Sequence, residues 1–161
     1  MAVGAARQRM DEALKAIVVQ PLRLAGFRGS LPHLRRKLPD RIDLLTFQQG
    51  KEFGRFCVDI ARCDPDGFLT HWGERIPPNK VTAHHITPFT SKTDALAGAA
   101  RTRLAPPGAG DHWFLFGPAV YEAGYGTVEH LEHYERIAFR VRDLIESVAQ
   151  PFWQMGCDPA A

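Results

Sequence analysis

Residues 42–61 read IDLLTFQQGKEFGRFCVDIA, and within them apolar side chains alternate with polar ones on either side of a turn. This period of two predicts strands at residues 42–48 and 53–61, because successive side chains of a strand point to opposite faces of a sheet. Residues 49–52 lie between them, and four residues is a common length for a hairpin loop. The stretch therefore predicts an antiparallel hairpin.

Other segments of the chain show the same period of two. Residues 31–38 predict an edge strand, since Pro32 has no N–H to donate to a neighbouring strand, and with the hairpin they make a three-stranded meander. Residues 62–80 are rich in Asp, Pro and Gly and predict a loop. Three further strands are expected at residues 81–89, 101–104 and 112–116, with a short helix at residues 93–100.

Two amphipathic segments flank the predicted strands. Residues 8–25 have apolar side chains at helical spacing, with Pro21 expected to kink the helix and Gly26 to end it. Residues 127–153 carry a longer apolar stripe, which consists of Leu131, Tyr134, Ala138, Val141, Ile145, Val148 and Phe152. Strands between two helices predict an α+β fold: an antiparallel sheet of about five or six strands, with an N-terminal helix and a long C-terminal helix packed on it.

The composition is that of a soluble globular domain. The chain has 161 residues, of which 45% are hydrophobic and 24% charged. A chain of this length buries about 70% of its extended surface on folding and needs neither a metal nor a disulfide to do so. We expect a single domain over residues 10–153, a loose N-terminal extension over residues 1–9 and a tail over residues 154–161. Met10 is a second candidate for the translation start.

Charge, hydropathy and cysteine usage narrow the range of partners and compartments. The formal net charge of +2 is lower than that of a dedicated nucleic-acid binder, so nucleic acid is not the expected partner. No stretch approaches the ~20 apolar residues of a membrane helix, so we expect no membrane partner. The cysteines form neither a disulfide framework nor a metal-ligand spacing, which favours a reducing cytoplasm; they are Cys57, Cys63 and Cys157.

Candidate metal ligands are few. His84 and His85 are adjacent on a predicted strand and would point to opposite faces of the sheet. His130 and His133 are one helical turn apart, with Glu129 four residues before His133, but a zinc site needs a third ligand. No His-Glu-x-x-His motif is present. We therefore expect no metal and no other cofactor.

Signatures of nucleophilic catalysis are also missing from the sequence. Ser30, Ser91 and Ser147 lie in no Gly-x-Ser-x-Gly elbow. Cys57 shares a strand face with Asp59, whereas a catalytic thiol needs a cationic and exposed setting. A triad of the serine or cysteine hydrolase type is therefore not expected.

One group of polar residues on the predicted strands combines side chains that bind anions. Its members are His33, Arg35, Gln48, Arg101, Arg103, Asp111, His112 and Trp113. His33 and Arg35 share a strand face, as do Arg101 and Arg103, so coinciding faces would direct guanidinium groups at a carboxylate or phosphate. The alternative is a solvated sheet face on which Arg35 or Arg103 pairs with Asp59 or Asp43. In either case, we expect Arg103 to have a carboxylate or an anion within hydrogen-bonding reach.

Several short strings occur in a recognisable order along the chain. They are LAGFRG at residues 24–29, PHLRR at 32–36, LTFQ at 45–48, RL at 103–104, DHWF at 111–114 and FW at 152–153. In this order and spacing the chain resembles the bacterial family known as domain of unknown function 4304, over roughly residues 10–153. Gln49 and Phe152 depart from the family pattern, which prefers Phe and Trp at these positions. The resemblance implies a small bacterial cytoplasmic protein and carries no agreed activity.

These observations favour a non-catalytic binding or protein-interaction module over an enzyme. Its partner would be an unknown protein or a small anionic ligand. The alternative is an enzyme or small-ligand binder for a phosphate or carboxylate substrate at the arginine-lined sheet face. A closed polar pocket would favour the anionic ligand, and a flat exposed apolar patch would favour the protein partner.

Overall fold

The computed structural model describes residues 2–51, 54–86, 98–117 and 131–155. The strands in these ranges are β1 (Arg28–Ser30), β2 (His33–Lys37), β3 (Ile42–Gln49), β4 (Arg55–Cys63), β5 (Phe68–Leu69), β6 (Arg75–Ile76), β7 (Ala100–Arg103) and β8 (Phe114–Leu115). The α-helices are α1 (Ala2–Leu14), α2 (Gln20–Leu24), α3 (Leu131–Leu144) and α4 (Gln150–Gln154).

An antiparallel sheet of six of these strands has the order β1-β2-β3-β4-β7, with β8 also paired to β4. The predicted hairpin is its longest pair, in which Thr46 lies opposite Asp59 and Gln48 opposite Cys57. The predicted strand at residues 31–38 is not an edge strand, because β1 pairs with its outer side. The antiparallel sheet with an N-terminal and a C-terminal helix confirms the predicted α+β fold.

A π-helical turn precedes a Gln-Pro pair in each long helix. The turns are Lys15–Val19 and Ile145–Ala149, and the pairs are Gln20-Pro21 and Gln150-Pro151. A proline inside an α-helix removes a hydrogen bond and clashes with the carbonyl four residues earlier. The wider π turn relieves this conflict: the backbone N–H of Gln20 donates to the carbonyl of Lys15, five residues earlier. α1 and α2 are thus continuous through their turn, as are α3 and α4 through theirs.

The π turn also shifts the buried stripe of the C-terminal helix by one residue. Up to the first residue of the turn the stripe follows the prediction, with Tyr134, Ala138, Val141 and Ile145 buried. From the last residue of the turn onward the buried residues are Ala149 and Trp153, while Val148 and Phe152 are half-buried. A π turn holds more residues than an α turn, so the next inward-facing residue comes one position later. The predicted stripe also begins too early, since Leu131 is 46% exposed.

Both helices pack on one face of the sheet. Odd-numbered residues of β3 and even-numbered residues of β4 face them, as the alternation predicts. The core between helices and sheet includes Met10, Leu14, Val18, Leu45, Phe47, Phe56, Val58, Ile60, Tyr134, Val141 and Trp153. Apolar burial of this extent is the main force holding the helices to the sheet.

A buried carboxylate ties the ends of both helices to this face. Asp43 is fully buried and accepts hydrogen bonds from the guanidinium groups of Arg36 and Arg41. Arg36 also donates to the carbonyl of Ala25, at 3.2 Å, and to the side chain of Gln150, at 3.3 Å. The role of Asp43 is therefore structural. It lies on the opposite face from Arg35 and Arg103, so the alternative in which it pairs with one of them is wrong.

Residues 64–86 cover part of the other face of the sheet. Their apolar side chains form a second core with Ile42, Leu44, Ala61 and Cys63 of β3 and β4. The antiparallel pair β5–β6 lies in this segment. Strands of two residues are too short to show an alternation, so the predicted loop at residues 62–80 misses them.

Two predicted elements differ from the structure. Within the predicted strand at 81–89, the described residues form a 3-10 turn at Ala83–His85 instead, which is capped because the imidazole of His85 accepts the backbone N–H of Thr82 at 2.9 Å. The expected loose extension differs too: residues 2–9 are helical and Ala6 is buried. Residues 87–89, 93–97, 127–130 and 156–161, on which parts of other predictions depend, lie outside the described residues.

Candidate functional site

A polar row crosses four strands on the face opposite the helices. The sheet register places His33 of β2 beside Thr46 of β3, Thr46 beside Asp59 of β4, and Asp59 beside Arg103 of β7. A second row, two residues away, ends in Arg35 and Arg101. Because these residues alternate with the helix-facing core, they lie on one surface. We call the following set the arginine face: His33, Arg35, Thr46, Gln48, Arg55, Cys57, Asp59, His84, Arg101, Arg103, Asp111 and Trp113.

Asp59 is the buried centre of the arginine face. Asp59 is only 2% exposed to solvent. Its carboxylate accepts hydrogen bonds from Arg103 Nε at 2.8 Å and from Arg101 Nη2 at 3.0 Å. His84 Nε2 lies 3.3 Å from the same carboxylate. The expectation that Arg103 has a carboxylate within reach is therefore confirmed. Charge-assisted bonds of this kind fix the guanidinium planes of both arginines.

Arg103 has a second carboxylate partner at the edge of the face. Its Nη1 donates to Asp111, whose side chain is 69% exposed. The indole N–H of Trp113 donates to the other oxygen of Asp111 at 3.0 Å. Burial alone would lower the pKa of Arg103, but the hydrogen bond and charge of Asp59 outweigh it and raise that pKa above its ordinary value.

An aromatic ring links two arginines of the face. The guanidinium carbon of Arg55 lies 4.6 Å from the ring centroid of Trp113, and that of Arg103 lies 5.3 Å from it. Cation–π contacts of this length are attractive without neutralising charge. The Nε atom of Arg55 is buried and has no hydrogen-bond partner within the described ranges.

Two imidazoles stand next to each other on the arginine face. His33 Nδ1 is 2.9 Å from Thr46 Oγ1, and the rings of His33 and His84 meet edge to face with centroids 5.9 Å apart. Burial lowers the pKa of both histidines, and the charge of Arg101 lowers that of His84 further. The two rings are therefore mostly uncharged at neutral pH.

The thiols of the described cysteines are not activated. Cys57 is fully buried beside Gln48, and burial raises its pKa to about 11. Burial also raises the pKa of Cys63, to about 12. A nucleophilic cysteine needs the opposite shift.

The eight residues predicted for this site do not all converge. Arg35 lies on the face and donates to the backbone carbonyl of Asn79, which ties the covering segment to the sheet. His112 packs edge-on against Phe114, at 4.9 Å between ring centroids, and Phe114 belongs to the helix-facing core. The other seven lie on the arginine face: His33, Arg35, Gln48, Arg101, Arg103, Asp111 and Trp113. The structure adds Thr46, Arg55, Cys57, Asp59 and His84 to them.

No metal centre is found in the part of the chain that the structure describes, where no three His, Cys, Asp or Glu residues are placed to hold an ion. His130, Glu129 and Cys157 lie outside it. Within the same part, no helix has the length and apolarity required to cross a membrane.

A family model described as a domain of unknown function (DUF4304) matches residues 18–154. Searches of curated proteins and of solved structures found no match to the chain. The family match confirms the resemblance seen in the sequence.

Proposed function

The chain belongs to the DUF4304 family, and we propose that it is a non-catalytic binding module that recognises an anionic group, a phosphate or a carboxylate, on its arginine face. The support comes from the charges, donors and apolar surroundings of this face. The partner can be a free anionic ligand or an anionic group on a larger molecule.

The observation that carries the proposal is an excess of cations on the arginine face. Four arginines lie there, Arg35, Arg55, Arg101 and Arg103, against two carboxylates. Arg101 shares Asp59 with Arg103, and the structure records no carboxylate partner of Arg35 or Arg55 among the described residues. Within the described ranges, two of the four positive charges have no carboxylate beside them, so the face carries a net positive potential, which attracts anions.

The arginines of this face are also held in place before a ligand arrives. The buried carboxylate of Asp59 accepts hydrogen bonds from Arg101 and Arg103 and so holds both guanidinium groups in place. The carbonyl of Ile86 accepts a further hydrogen bond from Arg101 at 3.2 Å. Side chains that are already ordered lose little entropy on binding, which favours affinity. The exposed carboxylate of Asp111 occupies one edge of Arg103, where an incoming anion would compete with it.

The test is the thermal stability of the protein in phosphate and in acetate, at constant ionic strength set with chloride. A ligand that binds only the folded state raises Tm by mass action, so we expect the wild type to be stabilised by phosphate. Arg103→Gln should lose most of this increase, because it removes two charge-assisted donors. The matched control is Arg75→Gln on β6, an exposed arginine that is not part of the arginine face, and it should keep the increase. Equal increases for the wild type and Arg103→Gln would contradict the proposal.

A protein partner is the second candidate, and one surface feature favours it. Leu69 is the last residue of β5, and Trp72 lies in the turn that connects β5 to β6. Both residues are exposed, at 54% and 65% of their area. Exposed tryptophans are frequent anchors of protein interfaces. If this surface binds a protein, Trp72→Ala should abolish binding of that protein and leave the phosphate-induced increase in Tm unchanged.

A further inference from the structure

Each of the two imidazoles on the arginine face has one ring nitrogen anchored by the sheet. His84 Nε2 faces the carboxylate of Asp59, and His33 Nδ1 faces the hydroxyl of Thr46. An ionised carboxylate only accepts hydrogen bonds, so Nε2 of His84 carries the hydrogen and Nδ1 keeps a lone pair. The structure records no hydrogen bond to Nδ1 of His84 among the residues that it describes.

Burial is the main reason that His84 keeps this neutral form. Burial and the charge of Arg101 lower the pKa of His84, and together they outweigh Asp59 of β4, which favours the charged form. The groups that face the imidazole pair are Arg35 and Thr46 on β2 and β3, Asp59 on β4, Arg101 on β7 and His85 in the 3-10 turn. A bound anion would counteract these cations and make a protonated imidazole more favourable.

This arrangement distinguishes between kinds of anion. A lone pair at Nδ1 repels an anionic oxygen unless a proton lies between them. A phosphomonoester has a second pKa of about 6, so it either brings that proton or shares one taken from water. A sulfate ester or a carboxylate stays fully ionised at neutral pH and brings none.

We propose that the anionic group bound by the arginine face is a small phosphomonoester, held by Arg101 and Arg103 and sharing one proton with His84. The inference rests on the proposed function, since it requires the face to bind anions at all. It adds the class of ligand and a proton that is taken up on binding. His33, at 5.9 Å from His84 between ring centroids, offers a second site for that proton.

Phenyl phosphate and phenyl sulfate share shape and ring. At pH 7 the sulfate ester is a monoanion, and the phosphate ester matches that charge only in the form that keeps its titratable proton, so proton uptake is measured together with affinity. Calorimetric titrations at pH 7 in two buffers of different ionisation enthalpy measure both affinity and proton uptake. We expect phenyl phosphate to bind at least about tenfold more tightly than phenyl sulfate, as one added charge-assisted hydrogen bond allows, with uptake of up to about one proton. Above pH 7 the affinity should fall, because binding takes up a proton and the proton concentration decreases as the pH rises.

His84→Gln should reduce the preference for phenyl phosphate to less than about threefold and remove the proton uptake, while binding of phenyl sulfate persists. The matched control is His71→Gln; His71 packs on Trp72 next to the β5–β6 hairpin, and its replacement should change neither quantity. His33→Gln provides a second variant if His84→Gln fails to fold. Equal binding of the two esters, or a preference that survives His84→Gln, overturns the inference and leaves the proposed function standing. Failure of the wild type to bind either ester overturns the proposed function as well.

Discussion

At the scale of single residues, Asp59 determines the arrangement of the arginine face. Alternation along 53–61 places Asp59 on the same face as Cys57, and the spacing of Arg101 and Arg103 places both on one side of β7. The sequence thus predicts which arginines share a surface. It does not predict that His84 joins them, because a 3-10 turn of three residues has no periodicity and its position depends on the second core beneath it.

Replacing Asp59 should be costly for stability. Asp59→Asn leaves two partly buried guanidinium groups facing a neutral amide, and removing one partner of a buried ion pair destabilises by about 3–5 kcal/mol. Since the side chains of Arg101 and Arg103 are 16% and 24% exposed, we expect about 2–4 kcal/mol in urea unfolding. Asp111→Asn is the control: its side chain is 69% exposed, and it should cost less than about 1 kcal/mol. Equal losses for the two variants would show that Asp59 is not the organising carboxylate.

At the scale of elements, the helices show what periodicity alone misses. An α-helical period predicts Val148 and Phe152 on the buried side, whereas the π turn before Pro151 puts Ala149 and Trp153 there. Proline marks where the period changes, but the sequence does not say whether the helix kinks, ends or widens at that point. In the sheet, the long strands β3 and β4 were predictable because both show the alternation over many residues, while the two-residue strands β5 and β6 were not.

This shift can be tested with two neighbouring aromatic residues. Trp153 is fully buried and its indole N–H donates to the carbonyl of Ala61 at 2.9 Å, so Trp153→Ala should cost about 3–5 kcal/mol of unfolding free energy. Phe152 is half-buried, and Phe152→Ala should cost about 1–2 kcal/mol. Urea unfolding of both variants measures the difference. A larger loss of unfolding free energy for Phe152→Ala than for Trp153→Ala would contradict the shift and indicate an uninterrupted α-helical period.

At the scale of the whole molecule, the two faces of the sheet differ in what packs on them. The helix-facing side combines the larger core with the Asp43 network, and both contribute to stability. The other side divides into a second core under residues 64–86 and the arginine face beside it. Net charge gives no sign of this division, because the +2 of the whole chain hides a local excess of arginine. The strand register, which sets the row from His33 to Arg103 beside the row from Arg35 to Arg101, brings these arginines onto one face.

The affinity of Asp111→Asn for inorganic phosphate, measured by calorimetry beside the wild type, tests most directly whether the arginine face binds anions. Asp111 is the exposed carboxylate on Arg103, so its neutralisation removes a competitor without touching the buried Asp59. The predicted result is phosphate binding about three- to tenfold tighter than in the wild type, as expected for removal of a like charge from the rim of a site. Unchanged or weaker phosphate binding by Asp111→Asn would contradict an anion site at this face.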